Sequence, residues 1–169
     1  MIRHFTASGI VLSHDEQVLL IQHRKLGMWL YPGGHIEPGE DPVQAVLREV
    51  AEGTGLACRI VTESRFGHPA TTVLPAPWVI LVHDIPANDQ APVHQHIDMV
   101  YVLTPEGGQT TPRLEEVTDC AWVPLAGVAG LLTPQEVPSL ISKAAEYARR
   151  IRLSLVAAGA EPGETNCHD

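Results

Sequence analysis

The 169-residue chain is short of several things, and each shortage excludes a class of protein. It has no run of about eighteen apolar residues, so no membrane-spanning helix is expected. Its first residues, Met1-Ile2-Arg3-His4-Phe5-Thr6, lack the apolar stretch of a secretory signal, and a cytoplasmic location is expected. Only three cysteines occur, Cys58, Cys120 and Cys167, far apart and odd in number. With no Cys-x-x-Cys pair, neither a disulfide framework nor a thiolate zinc site is indicated. Positive charge is scarce: 11 Lys and Arg stand against 20 Asp and Glu, a formal net charge of -9. That disfavours a surface that grips extended nucleic acid. It does not disfavour a small phosphorylated substrate, because a divalent cation neutralises phosphates locally. Clustered carboxylates are what such a cation needs.

What is present has an ordinary globular balance, 44% hydrophobic and 18% charged, and the length of one domain. No internal repeat or interdomain linker interrupts it. Residues 1–157 are expected to form that domain, and the polar, Gly/Pro-containing residues 158–169 a disordered tail. Apolar runs separated by a polar cluster predict strands at 6–12 and 17–23. Residues 26–39 carry Pro32, Gly33, Gly34, Pro38 and Gly39 and read as a loop, with a short extended piece at 29–31. Asp41 and Pro42 then open a helix with an apolar stripe of Val43, Val46, Leu47 and Val50, ended by Gly53 and Gly55. Further strands are expected at 57–63, 78–83, 97–103 and 120–123, and a C-terminal helix at 139–157. The expected class is α/β, a mixed sheet with helices packed on it.

The chemistry is concentrated in Gly34-x5-Glu40-x7-Arg48-Glu49-Val50-x-Glu52-x-x-Gly55-Leu56. A Gly-Gly turn leaves backbone carbonyls unobstructed, so one can reach a cation. Glu49 and Glu52 are three apart and share a helix face. Two carboxylates, a carbonyl and waters are an ordinary magnesium shell. Arg48, four residues before Glu52, is placed to pair with it and fix its rotamer.

This array resembles the Nudix box, the signature of the Nudix hydrolases, and so does the lead-in Trp29-Leu30-Tyr31-Pro32-Gly33-Gly34-His35-Ile36-Glu37-Pro38-Gly39-Glu40. With the flanking strands and Trp122-Val123-Pro124-Leu125, the likeness extends over residues 3 to about 155. It implies an α/β/α sandwich with a mixed β-sheet, a Mg2+ requirement (Mn2+ as a substitute), and attack of water on phosphorus in a nucleoside-diphosphate-linked or related substrate. It also implies the residues. The Gly33 carbonyl and Glu52 would bind metal, and Glu49 would be a ligand or the general base. Glu40 would stand behind them and Arg48 would orient the carboxylates. One position departs from the pattern: the family has a second glutamate where this chain has Gly53. Three readings follow. The activity persists with weaker metal binding, another residue substitutes, or the chain is a catalytically impaired nucleotide or nucleotide-sugar binder. In the superfamily an acidic residue near 115–116 often reaches the metal, which makes Glu116 a further candidate ligand. A diphosphate isomerase or phosphatase on a related scaffold is a separate rival, and a homodimer is the default assembly.

A second constellation is His94, His96 and Asp98, which alternate and so share one face if they lie in a strand. Neutral imidazoles with a carboxylate could take a transition metal, and imidazoliums could hold phosphate. They also fit a plain role as polar residues at a strand start. His35 in the Gly-Gly turn could face the same cleft, and Arg24 could meet substrate phosphate. Tyr31 and Phe66 are candidates for stacking on a base.

Overall fold

The capping residues around position 41 act as their chemistry dictates. In the computed structural model, which describes residues 1–62, 66–87, 91–111 and 117–157, helix α1 runs Pro42–Thr54. The Asp41 carboxylate accepts from the N–H groups of Val43 and Gln44, and the Gln44 side chain accepts from the Asp41 N–H. This closes a capping box. Pro42 takes a first-turn position, where its missing N–H costs nothing. At the other end Gly55 sits in the left-handed region, φ 79°, and donates to the Ala51 carbonyl. Gly53, expected to help end the helix, lies inside it.

The described residues also form eight strands: β1 Ile2–Val11, β2 Gln17–His23, β3 Trp29–Leu30, β4 Gly33–His35, β5 Ala57–Ile60, β6 Val79–Ile85, β7 His94–Gly107 and β8 Val117–Pro124. A 3-10 turn at Leu125–Gly130 leads to helix α2, Val137–Ala157. The main sheet runs β4-β1-β7-β5, with β6 on the other half of the long β7. β1 and β7 are parallel from Ile2 opposite His94 to Val11 opposite Leu103, and the remaining pairs are antiparallel. A smaller sheet has the order β3-β2-β8. The mixed sheet is therefore as expected. Both β1 and β7 start earlier than their apolar patterns suggest, because each supplies the other's ladder. β4 is a strand inside a segment that reads as loop.

Alternation along β1 and β7 divides the interior in two. Ala7, Val11, Tyr101 and Leu103 point to α1 and pack with Val46 and Val50. Ile10, Val100 and Val102 point the other way and pack with Ile141, Ala144 and Ile151 of α2. The result is a helix on each face of the sheet. No helix among the described residues is long and apolar enough to cross a membrane. The expected tail, 158–169, lies outside the described residues.

α1 packs tightly on β1 at Gly9. A Cβ there would stand 2.5 Å from Leu103 Cδ1 and 2.8 Å from Val50 Cγ2. Gly9→Ala should therefore lower stability by about 1–3 kcal/mol through overpacking, read from urea unfolding midpoints. Wild-type stability in that variant would mean that α1 does not seat on residue 9.

Candidate active site at the β4 edge

Two adjacent glycines join β4 to both of its neighbours. Gly33 lies opposite Ser8 and Gly34 opposite Ala7. A Cβ on Gly33 would overlap the Ser8 side chain and press on its Cα; one on Gly34 would overlap the Glu49 carboxylate. Close approach, to β1 on one side and α1 on the other, is what requires glycine at both positions. The ladder also aims the carbonyls. Gly9 donates to the Pro32 carbonyl at 2.9 Å and Ile36 to the Phe5 carbonyl at 3.1 Å. Antiparallel bonding alternates, so the carbonyls of Gly33 and His35 turn away from β1. The His35 carbonyl accepts from Arg48 Nη2 at 3.0 Å.

Arg48 is the hub of this edge. Its Nε and Nη2 bind Glu40 Oε1 and Oε2 at 2.7 and 3.0 Å, a bidentate fork. Its Nη1 reaches Glu49 Oε1 at 2.8 Å and Glu52 Oε2 at 3.4 Å. The main partner is thus Glu40, eight residues back, while the expected Glu52 pair is the longest of the set. Glu40 also accepts from the Glu37 N–H at 3.1 Å. The Arg48 side chain holds the Glu40 carboxyl below its ordinary range, and Glu40, then Glu49, push the guanidinium above its own. Three carboxylates are thereby gathered on one cation beside the Gly33 turn.

The histidines occupy the other face of the same sheet. His94 and His96 both lie in β7, and β1 brings His4 opposite His96. His94 Nε2 is 3.1 Å from His96 Nε2, and His35 Nε2 is 3.3 Å from His4 Nδ1. His94 is buried and His35 exposed. Burial, then the neighbouring imidazoles of His35, His94 and His4, push His96 down to about 4. Asp98 does not join them. It is 4% exposed and accepts from Thr6 Oγ1 at 2.9 Å and Ser8 Oγ at 2.8 Å. Buried and occupied with these two hydroxyls, it ties β7 to β1. Tyr31 is likewise drawn inward: it packs on the α2-side core, and burial raises its hydroxyl above the ordinary range. Arg24 stands exposed in the turn after β2, and Phe66 is also exposed. Glu116 lies outside the described residues. Burial pushes the thiols of Cys58 and Cys120 up to about 12 and about 11, so neither is a thiolate near neutral pH.

Comparison with known proteins identifies the family. Residues 2–142 match the NUDIX domain model. The chain belongs to the Nudix hydrolase family. It is 28% identical to the human 8-oxo-dGDP phosphatase NUDT18 over 158 residues, covering 90% of this chain and 42% of that protein. It is also 28% identical to the putative mutator protein MutT4 of Mycobacterium tuberculosis, covering 90% of this chain and 53% of that protein. The chain thus spans about half, or less, of the length of these curated relatives. A Nudix-family hydrolase structure from Clostridium perfringens superposes with a TM-score of 0.73 at 26% identity, over 87% of this chain and 99% of that one.

Gly53, inside α1, has room for a side chain. A Cβ there would meet only Pro32 Cβ, at 3.8 Å, beside the Gly33 turn. Packing does not require glycine at this point, in contrast to Gly33 and Gly34. Gly53→Ala should raise stability by about 0.5–1 kcal/mol, the helix-interior cost of glycine, seen as a higher melting temperature. The two turn glycines should separate in the opposite sense. Gly33→Ala strikes Ser8 backbone and should destabilise by roughly 1–3 kcal/mol. Gly34→Ala meets the end of the Glu49 side chain rather than backbone and should fold normally while disturbing that carboxylate. Equal unfolding midpoints for these two variants would contradict the packing described.

Proposed function

We propose that the chain is a magnesium-dependent pyrophosphohydrolase acting on a nucleoside-diphosphate-linked or related small substrate, with manganese able to substitute. The observation that carries this reading is the Arg48 hub: it holds Glu49 and Glu52 together beside the outward-turned Gly33 carbonyl. These are hard oxygen donors, the set that suits magnesium. Arg48 takes one oxygen of each glutamate, and a cation would be met by the other. Such a cation, when bound, neutralises phosphate charge and makes water a better nucleophile.

The protein's own residues do the rest. Glu49 would be a metal ligand or take the proton from the attacking water, and Glu52 would be a ligand. Glu40 keeps Arg48 from swinging away, and Arg48 keeps both glutamates in register, so positioning is done before substrate arrives. Beside them lies a cleft of about 630 Å³ lined by His4, Phe5, His35, Ile36, Glu40, Pro42 and Met99. Its size suits a small molecule, with apolar wall from Phe5, Ile36 and Met99 and polar groups at one side. Attack of water would yield a monophosphate and a second phosphorylated fragment, or orthophosphate if a terminal group leaves.

The test is a substrate panel with Mg2+ or Mn2+: nucleoside triphosphates, ADP-ribose, sugar nucleotides, dinucleoside polyphosphates and prenyl diphosphates. It adds 8-oxo-dGDP, for which the human relative is named. Phosphate release is followed with and without added pyrophosphatase or phosphatase. Glu49→Gln and Glu52→Gln should each lower kcat by roughly a hundredfold or more with unchanged circular dichroism. Robust activity untouched by both variants would remove these residues from the mechanism. Tight nucleotide binding without any turnover would instead favour the impaired binder that Gly53 suggests.

A further inference from the structure

We propose that His4, His94 and His96 form a transition-metal site of the zinc class, distinct from the Glu49–Glu52 carboxylates and on the opposite face of the main sheet. Three observations converge on it. The parallel β1–β7 register places His4 directly opposite His96, with His94 two residues earlier on the same face. One ring nitrogen from each histidine lies within 4.8 Å of the others. Tetrahedral zinc with Zn–N bonds of about 2.0–2.1 Å needs nitrogens roughly 3.4 Å apart, so only small side-chain movements separate this cluster from a ligand set.

The third observation concerns where the proton on His94 sits. Its Nδ1 is 2.8 Å from the Pro92 carbonyl oxygen. A carbonyl only accepts, so Nδ1 carries the proton and donates it. In the neutral ring the lone pair is then on Nε2, the atom that faces His96 Nε2 at 3.1 Å. Metal-binding histidines usually have such a carbonyl partner on the nitrogen away from the metal. Two facing Nε2 atoms either share one proton or share a cation, and the third imidazole nearby is what the cation needs and the proton does not. Three imidazoles select zinc, nickel or copper over magnesium, which prefers oxygen.

Surroundings support the same assignment. Asp98, bound to Thr6 and Ser8 one step deeper, fixes β7 against β1 and so fixes His96 against His4. His35, 3.3 Å from His4 and exposed, leaves the cluster open on the side of the cleft that His4 and His35 both line. The site needs no catalytic activity at the Nudix box, so it stands or falls separately from the pyrophosphohydrolase reading.

The probe is Co2+, with Zn2+ as competitor, added to the tag-free chain in excess Mg2+. The expected result is one equivalent of Co2+ per chain, displaced by Zn2+, with visible d–d bands of a nitrogen site and no thiolate charge-transfer band. His94→Gln and His96→Gln should weaken binding by about tenfold or more, while Glu49→Gln leaves it unchanged. Melting curves without metal verify that the variants fold; if the buried His94 variant does not, His4→Gln carries the same expectation. No uptake by wild type would overturn the site, as would equal uptake by the histidine variants. So would a thiolate band, or uptake lost with Glu49→Gln.

Discussion

The guanidinium of Arg48 is the constraint on which the rest of the site depends. Glu40, Glu49 and Glu52 would repel one another if brought together without a cation, and Arg48 bonds all three. Its planar fork matters, because one nitrogen pair takes Glu40 bidentately while the remaining hydrogens reach the helix and the His35 carbonyl. A single point charge on a flexible stem has no equivalent geometry. The same contacts tie β4 to α1, so the edge strand that presents the Gly33 carbonyl and the helix that presents the glutamates move as one piece.

The sheet then keeps two kinds of chemistry apart. Toward α1 lie hard oxygens, gathered by arginine at the Nudix box. Away from it lie imidazoles, gathered by the parallel β1–β7 pair and braced underneath by the buried Asp98. Period-two alternation makes this possible: in β1 the residues facing α1 are Phe5, Ala7 and Gly9, and those on the other side are His4, Thr6 and Ser8. β4 belongs to both, since Gly34 abuts Glu49 while His35 reaches His4.

Much of this was legible from residue order, and the limits have physical causes. The start of α1 is local chemistry, a carboxylate, a proline and a glutamine within four positions, and it reads directly. The box reads because its spacing over one helix and one turn is also local. β4 does not read as a strand, because what makes it one is the space that glycine leaves for Ser8, a residue 25 positions earlier. His4 carries no local signal for the same reason. Its partners are about ninety positions away, and only the parallel register of β1 with β7 shows that it sits against His96 while Asp98 does not share in the cluster. The alternation of His94, His96 and Asp98 does mark one face of one strand; the partners along that face, each other for the two imidazoles and the hydroxyls of Thr6 and Ser8 for the carboxylate, are a property of the packed sheet.

The account's central claim is that Gly33, Glu49 and Glu52 converge on one divalent cation. It is tested most directly by the anomalous difference map of crystals of this chain soaked in Mn2+ with a non-hydrolysable diphosphate. A peak bonded to the Gly33 carbonyl and to both glutamates at about 2.0–2.2 Å, with Arg48 still on Glu40, is the predicted result. Manganese bound elsewhere, with the Gly33 carbonyl and the two carboxylates turned apart, would contradict it.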